Sequence, residues 1–198
     1  MIVFKNNSNS RPYKKFRAFY KKAANLNQKN IEAILVSSYS TSQKEVDSRF
    51  VNLKFIDDDK FIFFSNYQSP KSVQFLEHNQ VSAVIFWNKP NVQIRIKAVI
   101  QKIPEIDSNN YFETRAIDKN ALAISSHQSQ KISSYSSVRK EYEQILNNKD
   151  LKTRPAYWGG YSFIPYYFEF WEGHDSRLNH RISFENNKGE WISSTLQP

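Results

Sequence analysis

The chain has 198 residues, of which 39% are hydrophobic and 15% aromatic, and it contains no cysteine. This length suits one domain, and the high aromatic content is typical of folded rather than disordered proteins. The lack of cysteine excludes a disulfide framework, a thiolate metal site and a cysteine nucleophile. Because the sequence has neither an apolar run of about 18 residues nor a secretory signal, we expect a cytoplasmic protein that does not span a membrane.

The net charge of +9 is concentrated at the N-terminus. Residues 1–31 contain no acidic side chain and eight basic ones: Lys5, Arg11, Lys14, Lys15, Arg17, Lys21, Lys22 and Lys29. The rest of the chain carries a net charge of only +1, since 20 of the 28 basic residues remain there with all 19 acidic ones. The basic segment predicts a solvated helix face, and contacts with nucleic acid, an anionic membrane or a small anion are the alternatives.

The N-terminal part predicts a polar tail and then a helix. Ser10, Arg11 and Pro12 mark the helix start, because proline is tolerated in the first helical turn. Aromatic residues follow at helical spacing, with lysines on the other side: Tyr13, Phe16, Phe19 and Tyr20. We therefore expect the aromatic face of this helix to be buried.

Short apolar runs after this helix predict strands. Residues 31–38 are rich in β-formers, and residues 48–56 and 60–66 read as two strands joined by a turn at 57–59. Residues 69–79 predict a short helix with Val73, Phe75 and Leu76 directed inward, and residues 81–87 predict a further strand.

The clearest pattern lies in residues 91–101. Apolar residues occupy every second position: Val92, Ile94, Ile96, Ala98 and Ile100. Most of the residues between them are polar or charged, and this period of two predicts a long strand with one buried face.

The C-terminal half predicts helices and then strands. Residues 107–127 are helical in character, and residues 134–147 place apolar side chains on one helical face. After Pro155, residues 161–171, 181–185 and 191–194 predict three strands. This clustering predicts an α+β protein with an antiparallel sheet or small barrel.

We treat the chain as a single domain of residues 1–198. It comprises a basic tail and helix (1–30), barrel strands (31–101), a helical segment (107–147) and C-terminal strands (157–198).

Motifs for metal binding and nucleophilic catalysis are absent from the sequence. The four histidines lack metal-ligand spacing, and there is no P-loop, GxGxxG or GxSxG motif. With only four glycines, a backbone cradle for phosphate is not expected. We predict no metal site, and we expect any anionic ligand to be held by side-chain cations.

Two groups of cations stand out. Arg49 and Lys54 bracket a strand expected to be buried, and five residues apart on one strand they would face opposite sides and serve two different places. The alternative is that both residues are simply charges at the edge of the sheet. Trp171, Arg177 and Arg181 combine a planar ring with two fork-shaped guanidinium groups, which suits a ring-bearing phosphate ester.

Together these segments resemble the pyridoxamine 5′-phosphate oxidase family of FMN-dependent enzymes, over residues 12–198, in order and with few gaps. The matching segments are Pro12…Phe16…Phe19, Arg49…Lys54, Phe63-Phe64-Ser65-Asn66…Ser69-Pro70-Lys71, Gln93-Ile94-Arg95-Ile96, Tyr111-Phe112…Arg115, His127-Gln128-Ser129, Tyr157-Trp158-Gly159-Gly160 and Phe170-Trp171…Arg177-Leu178…Arg181. The resemblance implies an antiparallel split β-barrel with flanking helices, working as a homodimer with FMN in the subunit interface.

The resemblance also implies which residues bind FMN. These are Arg49, Lys54, Phe64, Ser65, Lys71, Gln93, Gln128, Ser129, Trp171 and Arg181. Arg49 and Lys71, aided by Ser65, would hold the FMN phosphate, while Trp171 and Arg181 would come from the partner side.

For the substrate, the implied contacts are Lys54, Tyr111, Arg115, Lys119, Arg177 and Asn179. Tyr111 and Arg115 would hold its phosphate, and Arg177 and Asn179 would be the catalytic residues. The implied reaction converts pyridoxamine or pyridoxine 5′-phosphate to pyridoxal 5′-phosphate, with O2 as electron acceptor. No nucleic acid or membrane partner is expected.

Four positions depart from the family pattern. Lys119 replaces a serine of the substrate-phosphate pocket, Asn179 replaces a histidine, Pro70 replaces a basic residue and Val92 replaces an arginine. Because the departures at 119 and 179 fall on the substrate side, two alternatives stay open. One is a related flavin oxidase with another ring substrate, as in phenazine biosynthesis; the other is a non-catalytic binder of FMN or pyridoxal phosphate.

Overall fold

The computed structural model describes residues 1–148 and 150–198. These residues form ten strands and five helices, in the order β1 (Val3–Lys5), α1 (Arg11–Asn25), β2 (Ala33–Ser40), β3 (Glu45–Asn52), β4 (Phe55–Asp57), β5 (Lys60–Asn66), α2 (Pro70–Glu77), β6 (Gln80–Trp87), β7 (Val92–Lys102), α3 (Glu105–Thr114), α4 (Ile117–Ser125), α5 (Tyr135–Asn148), β8 (Trp158–Glu172), β9 (His180–Asn187) and β10 (Glu190–Leu196). The α+β class is confirmed. Among the described residues, no helix combines the length and the apolar composition needed to cross a membrane.

The ten strands belong to one curved sheet. Its main path runs β1-β4-β5-β8-β7-β6-β2-β3, and β9 and β10 extend from the long strand β8. β1 and β4 are parallel, whereas the other neighbours are antiparallel. Only Leu53 and Lys54 separate β3 from β4, and β3 approaches β5 without pairing with it. The sheet therefore curls into an open barrel whose gap lies between β3 and β5.

Aromatic side chains fill the interior of this barrel. Phe61 is fully buried and contacts the rings of Tyr13, Phe16, Phe163 and Phe168. Two of these partners come from α1, so the aromatic face of that helix is buried as predicted. Each such side chain stabilises the fold by about 1.5–3 kcal/mol relative to an exposed one.

Strand β7 confirms the alternation read from the sequence. Its five alternating apolar residues are all at most 3% exposed, and both neighbours, β6 and β8, pair with it antiparallel. β8, β9, β10 and α5 also lie where strands and a helix were predicted, with bounds that differ by a few residues.

Several predicted elements were wrong in detail. The strand predicted over 48–56 is two strands, because the chain leaves β3 after Asn52 to cross the gap of the barrel. The polar tail contains β1, which pairs with β4, and the helical stretch 107–127 is divided into α3 and α4. In α2, Phe75 is buried, but Val73 and Leu76 are 48% and 71% exposed. The inner face of α2 instead carries polar residues, including Lys71 and Gln74.

Candidate functional site

An open cleft of about 830 Å³ occupies the gap between β3 and β5. Its other walls come from the start of α2, from α3 and α4, and from the loop after α4. Ten of the site residues predicted from the sequence line this one cleft: Arg49, Lys54, Phe64, Ser65, Lys71, Tyr111, Arg115, Lys119, Gln128 and Ser129. The break in the barrel thus brings together segments that are far apart in the chain.

One group of cations in the cleft centres on Lys71, in the first turn of α2. Lys71 is only 7% exposed, and its Nζ donates to Ser65 Oγ at 3.1 Å and to Ser69 Oγ at 2.9 Å. Burial lowers the pKa of Lys71 to about 8, and the neighbouring Arg49 contributes to this lowering. Because its hydrogen-bond partners are neutral hydroxyls, a bound anion would supply the counter-charge that this buried ammonium lacks.

Arg49 lies on β3 and is held by three neighbouring side chains. Its guanidinium donates to Ser38 Oγ at 2.6 Å, to Gln74 Oε1 at 2.9 Å and to Asp47 Oδ2 at 2.6 Å. Ser38 and Gln74 are buried and neutral and orient Arg49, while Asp47, which is largely exposed, forms an ion pair with it. Arg49 therefore faces Lys71 in a fixed position.

A second group of cations consists of Lys54, Arg115 and Lys119. Burial lowers the pKa of Lys54, and Lys119 and Arg115 lower it further against the opposing effect of Glu32. Arg115 Nη1 donates to the carbonyl oxygen of Lys119 at 2.9 Å, and its guanidinium lies over the Trp158 ring at 4.9 Å. Among the described residues that line the cleft, the only acidic one is Asp47, which is paired with Arg49. The second group is thus also suited to an anion.

The position of Lys54 corrects one sequence prediction. Arg49 and Lys54 were expected to face opposite sides of one strand and to serve two different places. Because β3 ends at Asn52, Lys54 lies beyond the strand, and both side chains line the same cleft in different cation groups.

A flat aromatic wall also lines the cleft. The rings of Phe64 and Tyr111 stack with centroids 3.9 Å apart, and Trp158 is also stacked, with its centroid 5.3 Å from that of Phe64 and 6.3 Å from that of Tyr111. Gly160 on β8 permits this packing, because a Cβ there would overlap the Ile103 side chain and come within 3.0 Å of Phe64. An aromatic wall beside two cation groups suits a planar ring that carries an anionic substituent.

Two predicted site residues have backbone conformations that glycine normally adopts. Ser129 has a φ of 70° and Arg177 a φ of 61°. Such conformations cost on the order of 1 kcal/mol and cluster at binding sites, where the side chain must be presented in a particular direction.

Five predicted site residues lie outside the cleft. Gln93, Trp171 and Arg181 are direct partners across β7, β8 and β9. Their chain neighbours Val92 and Phe170 are buried in the core, so this row projects from the outer face of the sheet. Arg177 and Asn179 lie in the adjoining loop between β8 and β9. Asn179 Oδ1 accepts a hydrogen bond there from the backbone N–H of His174 at 3.1 Å.

Some residues that shape the site were not assigned a role in it from the sequence. Ser38 and Gln74 hold Arg49, and Trp158 stacks on Arg115. These partners are between 11 and 43 residues from the cations they contact, so no local pattern signals them. Among the described residues, no group of three or more His, Asp or Glu side chains is placed to hold a metal ion.

Comparison with protein families gives two matches. Residues 21–149 match the family described as pyridoxamine 5′-phosphate oxidase, and residues 158–198 match the pyridoxine 5′-phosphate oxidase C-terminal dimerisation region. The chain is 35% identical over 175 residues to a pyridoxine/pyridoxamine 5′-phosphate oxidase of Legionella pneumophila (strain Lens), covering 87% of this chain and 81% of that protein. It is 33% identical over 199 residues to the enzyme of the same name from Haemophilus influenzae (strain Rd), covering 100% and 94%.

Two solved structures have the same fold. PhzG from Burkholderia lata 383, solved with tetrahydrophenazine-1-carboxylic acid, has a TM-score of 0.89 at 24% identity and covers 96% of this chain and 93% of that one. A pyridoxamine 5′-phosphate oxidase-related, FMN binding protein from Nostoc punctiforme has a TM-score of 0.80 at 11% identity, covering 96% and 100%. These likenesses confirm the predicted split-barrel fold.

Proposed function

Because the chain belongs to the pyridoxamine 5′-phosphate oxidase family, we propose that it oxidises pyridoxine or pyridoxamine 5′-phosphate to pyridoxal 5′-phosphate. FMN is its cofactor and O2 is the electron acceptor. The observation that carries this proposal is the cleft itself, which combines two cation groups with an aromatic wall. Two anion sites beside stacked rings match a reaction in which the cofactor and the substrate each carry a planar ring and a phosphate.

The described residues fit FMN at the Arg49–Lys71 group. A phosphate dianion there would neutralise the buried ammonium of Lys71 and accept hydrogen bonds from Ser65 and Arg49. Gln128 and Ser129 line the same cleft and provide polar groups for the rest of the cofactor. When bound, FMN supplies the acceptor for the hydride that leaves the substrate carbon bearing the amine or hydroxyl.

The second cation group is assigned to the substrate phosphate. Arg115 is held over Trp158 and by the carbonyl oxygen of Lys119, so its guanidinium is oriented before the substrate arrives. Tyr111, Lys119 and Lys54 complete this group. Each charge-assisted hydrogen bond to phosphate is worth about 1.5–3 kcal/mol, and together these contacts hold the substrate ring for hydride transfer.

The chain forms a homodimer through its C-terminal dimerisation region. We assign Gln93, Trp171 and Arg181, with Arg177 and Asn179 from the adjoining loop, to the cleft of the partner subunit. The support for this assignment is their position on the outer face of the sheet, away from the cleft of their own subunit. Four of these five residues also lie within the dimerisation region.

A related flavin oxidase with a ring carboxylate as substrate is the second candidate, because Lys119 and Asn179 depart from the family pattern on the substrate side. The charge of the second cation group favours the first candidate. The one acidic residue among the described residues that line the cleft, Asp47, is paired with Arg49, so the three cations of the second group suit a phosphate dianion better than a carboxylate of single charge.

The test is anaerobic mixing of the FMN-loaded protein with pyridoxine 5′-phosphate, followed by the visible spectrum. We expect the oxidised flavin band to bleach with this substrate but not with unphosphorylated pyridoxine at the same concentration. A band that persists with pyridoxine 5′-phosphate would contradict the proposed function, and bleaching only by a reduced ring carboxylate would establish the second candidate.

The matched variant for this test is Arg115→Gln. We expect it to retain FMN as the unchanged protein does, but to need about tenfold more pyridoxine 5′-phosphate for half-maximal bleaching, because one charge-assisted contact is lost. If Arg115→Gln instead loses FMN as strongly as it loses affinity for pyridoxine 5′-phosphate, Arg115 contacts the cofactor.

A further inference from the structure

Glu169 is a buried carboxylate on the outer face of β8. Its side chain is only 3% exposed, although Tyr167 and Trp171, its neighbours on the same face, are both partly exposed. Arg95 Nη1 and Tyr167 Oη donate to its Oε2, at 2.8 and 3.1 Å. Arg181 donates to its Oε1 from Nη2 at 2.8 Å and from Nε at 3.1 Å. The carboxylate is thus surrounded by donors from three strands.

These contacts leave Arg181 little freedom. Besides the two bonds to Glu169, its Nη1 donates to the carbonyl oxygen of Gln197 at 2.7 Å. All three guanidinium nitrogens are therefore engaged, while the side chain remains 25% exposed. A guanidinium has five N–H groups, and these bonds use three of them, so Arg181 can still donate from a fixed position in the row that it forms with Gln93 and Trp171.

Arg95 is the second arginine paired with Glu169, and it comes from β7 rather than β9. Glu169 contacts Arg181 through Oε1 and Arg95 through Oε2, so the two arginines occupy different carboxylate oxygens. A buried ion pair contributes little net stability compared with well-packed apolar residues. The arrangement is therefore better explained by the orientation of Arg181 than by stabilisation of the fold.

We propose that Glu169 is a positioning residue for FMN binding, which acts by holding the Arg181 guanidinium toward the cofactor in the partner subunit's cleft. This inference rests on the proposed function, in which Arg181 contacts FMN. It concerns a residue outside the cleft and outside the contacts assigned to cofactor or substrate.

The experiment measures the dissociation constant of FMN by fluorescence quenching, on the full-length dimer freed of flavin. We expect Glu169→Gln to weaken FMN binding about tenfold, because the amide cannot hold Arg181 as the carboxylate does. The matched control is Arg95→Gln, which removes the other arginine of Glu169 but leaves Arg181 in place. We expect it to change the dissociation constant by less than about threefold.

A double variant separates positioning from a structural effect. If Glu169 acts through Arg181, Glu169→Gln adds no further loss in an Arg181→Ala background. Equal losses in both backgrounds, or unchanged FMN affinity in Glu169→Gln, would overturn the inference. If Glu169→Gln does not yield a dimer, Glu169→Asp replaces it; the shorter side chain keeps the charge but not the reach, and the same pattern is expected.

The same FMN-binding measurements distinguish a failure of the proposed function from a failure of this inference. Unchanged protein that does not bind FMN would overturn both proposals. FMN binding that is unaffected by Arg181→Ala would remove the assignment of Arg181, and Glu169 with it. FMN binding that depends on Arg181 but not on Glu169 would overturn this inference alone.

Discussion

Lys71 carries an ammonium group in a place that is 7% exposed and has hydroxyls as its hydrogen-bond partners. Burial, with the nearby charge of Arg49, lowers its pKa from the ordinary value of 10.5 to about 8. The unfolded chain keeps the proton of this lysine up to about pH 10.5, whereas the folded chain releases it near pH 8. As the pH rises through this window, loss of the Lys71 proton therefore increases the free energy of unfolding, so the folded state becomes more stable. The positive charge that would bind phosphate is lost over the same range.

This linkage predicts proton uptake when a phosphate binds. At pH 8 the folded protein carries about half a proton on Lys71, and a bound dianion raises the pKa again, so FMN binding should take up about 0.5 proton. The measurement is titration calorimetry at pH 8 in two buffers that differ in ionisation enthalpy.

The control for proton uptake is Lys71→Met, which keeps the length of the side chain without its charge. We expect weaker FMN binding and no uptake attributable to this position. Uptake that persists unchanged in Lys71→Met would show that another group titrates.

At the scale of elements, the loop between β8 and β9 (residues 173–179) is held by its own hydrogen bonds. Asn179 Oδ1 accepts from the N–H of His174 at 3.1 Å, and the N–H of Arg177 donates to the carbonyl oxygen of His174 at 2.9 Å. Arg177 has a φ of 61°, so its unusual backbone conformation depends on these neighbours. The Oδ1 atom of Asn179 is thus engaged within the loop, and its predicted contact with substrate stays a prediction.

This geometry predicts different results for two substitutions of Asn179. Asn179→Ala removes the acceptor for His174 and should lower kcat/KM about tenfold while FMN binding is retained. Asn179→Asp keeps an acceptor oxygen at the same position, and we expect most of the activity to remain.

Steady-state kinetics with pyridoxine 5′-phosphate, together with an FMN titration, make this measurement. An equal loss in both variants would indicate that the amide NH2 matters, and hence a direct contact with substrate rather than a role in the loop.

At the scale of the whole molecule, the site residues predicted from the sequence lie on two surfaces of one subunit. Arg49 lines the cleft in the gap of the barrel, whereas Arg181 projects from the outer face of the sheet beside β8. Under the proposed assignment, the outer face of each subunit would complete the cleft of the other, and symmetry would give the homodimer two such sites.

This division predicts complementation between two inactive variants. Arg49→Ala and Arg181→Ala each damage both sites of their own homodimer. After mixed refolding or co-expression, half of the dimers are heterodimers, and each of these has one site with both arginines, so about a quarter of all sites should recover. The measurement is turnover of pyridoxine 5′-phosphate by the mixture, compared with each variant alone. No recovery in proven heterodimers would mean that both arginines serve a site within one subunit.

Much of the local structure was predictable from the sequence. The alternation in β7 and the aromatic face of α1 are recorded in residue spacing, because burial repeats with the period of the element. The break between β3 and β4 was not predictable, because residues 48–56 have the pattern of one continuous strand. The chain leaves β3 after Asn52 to cross the gap of the barrel, and no local pattern marks that point.

For the site, the sequence by itself determined the residue types, and through its resemblance to one family it indicated the cofactor and the reaction. The tertiary structure decided which of those residues meet: ten in one cleft and five away from it. It also decided the lowered pKa of Lys71 and the pairing of Arg181 with Glu169. The physical reason is that charge and orientation depend on neighbours brought together by strand pairing and sheet curvature. Those neighbours leave no periodic trace in the chain.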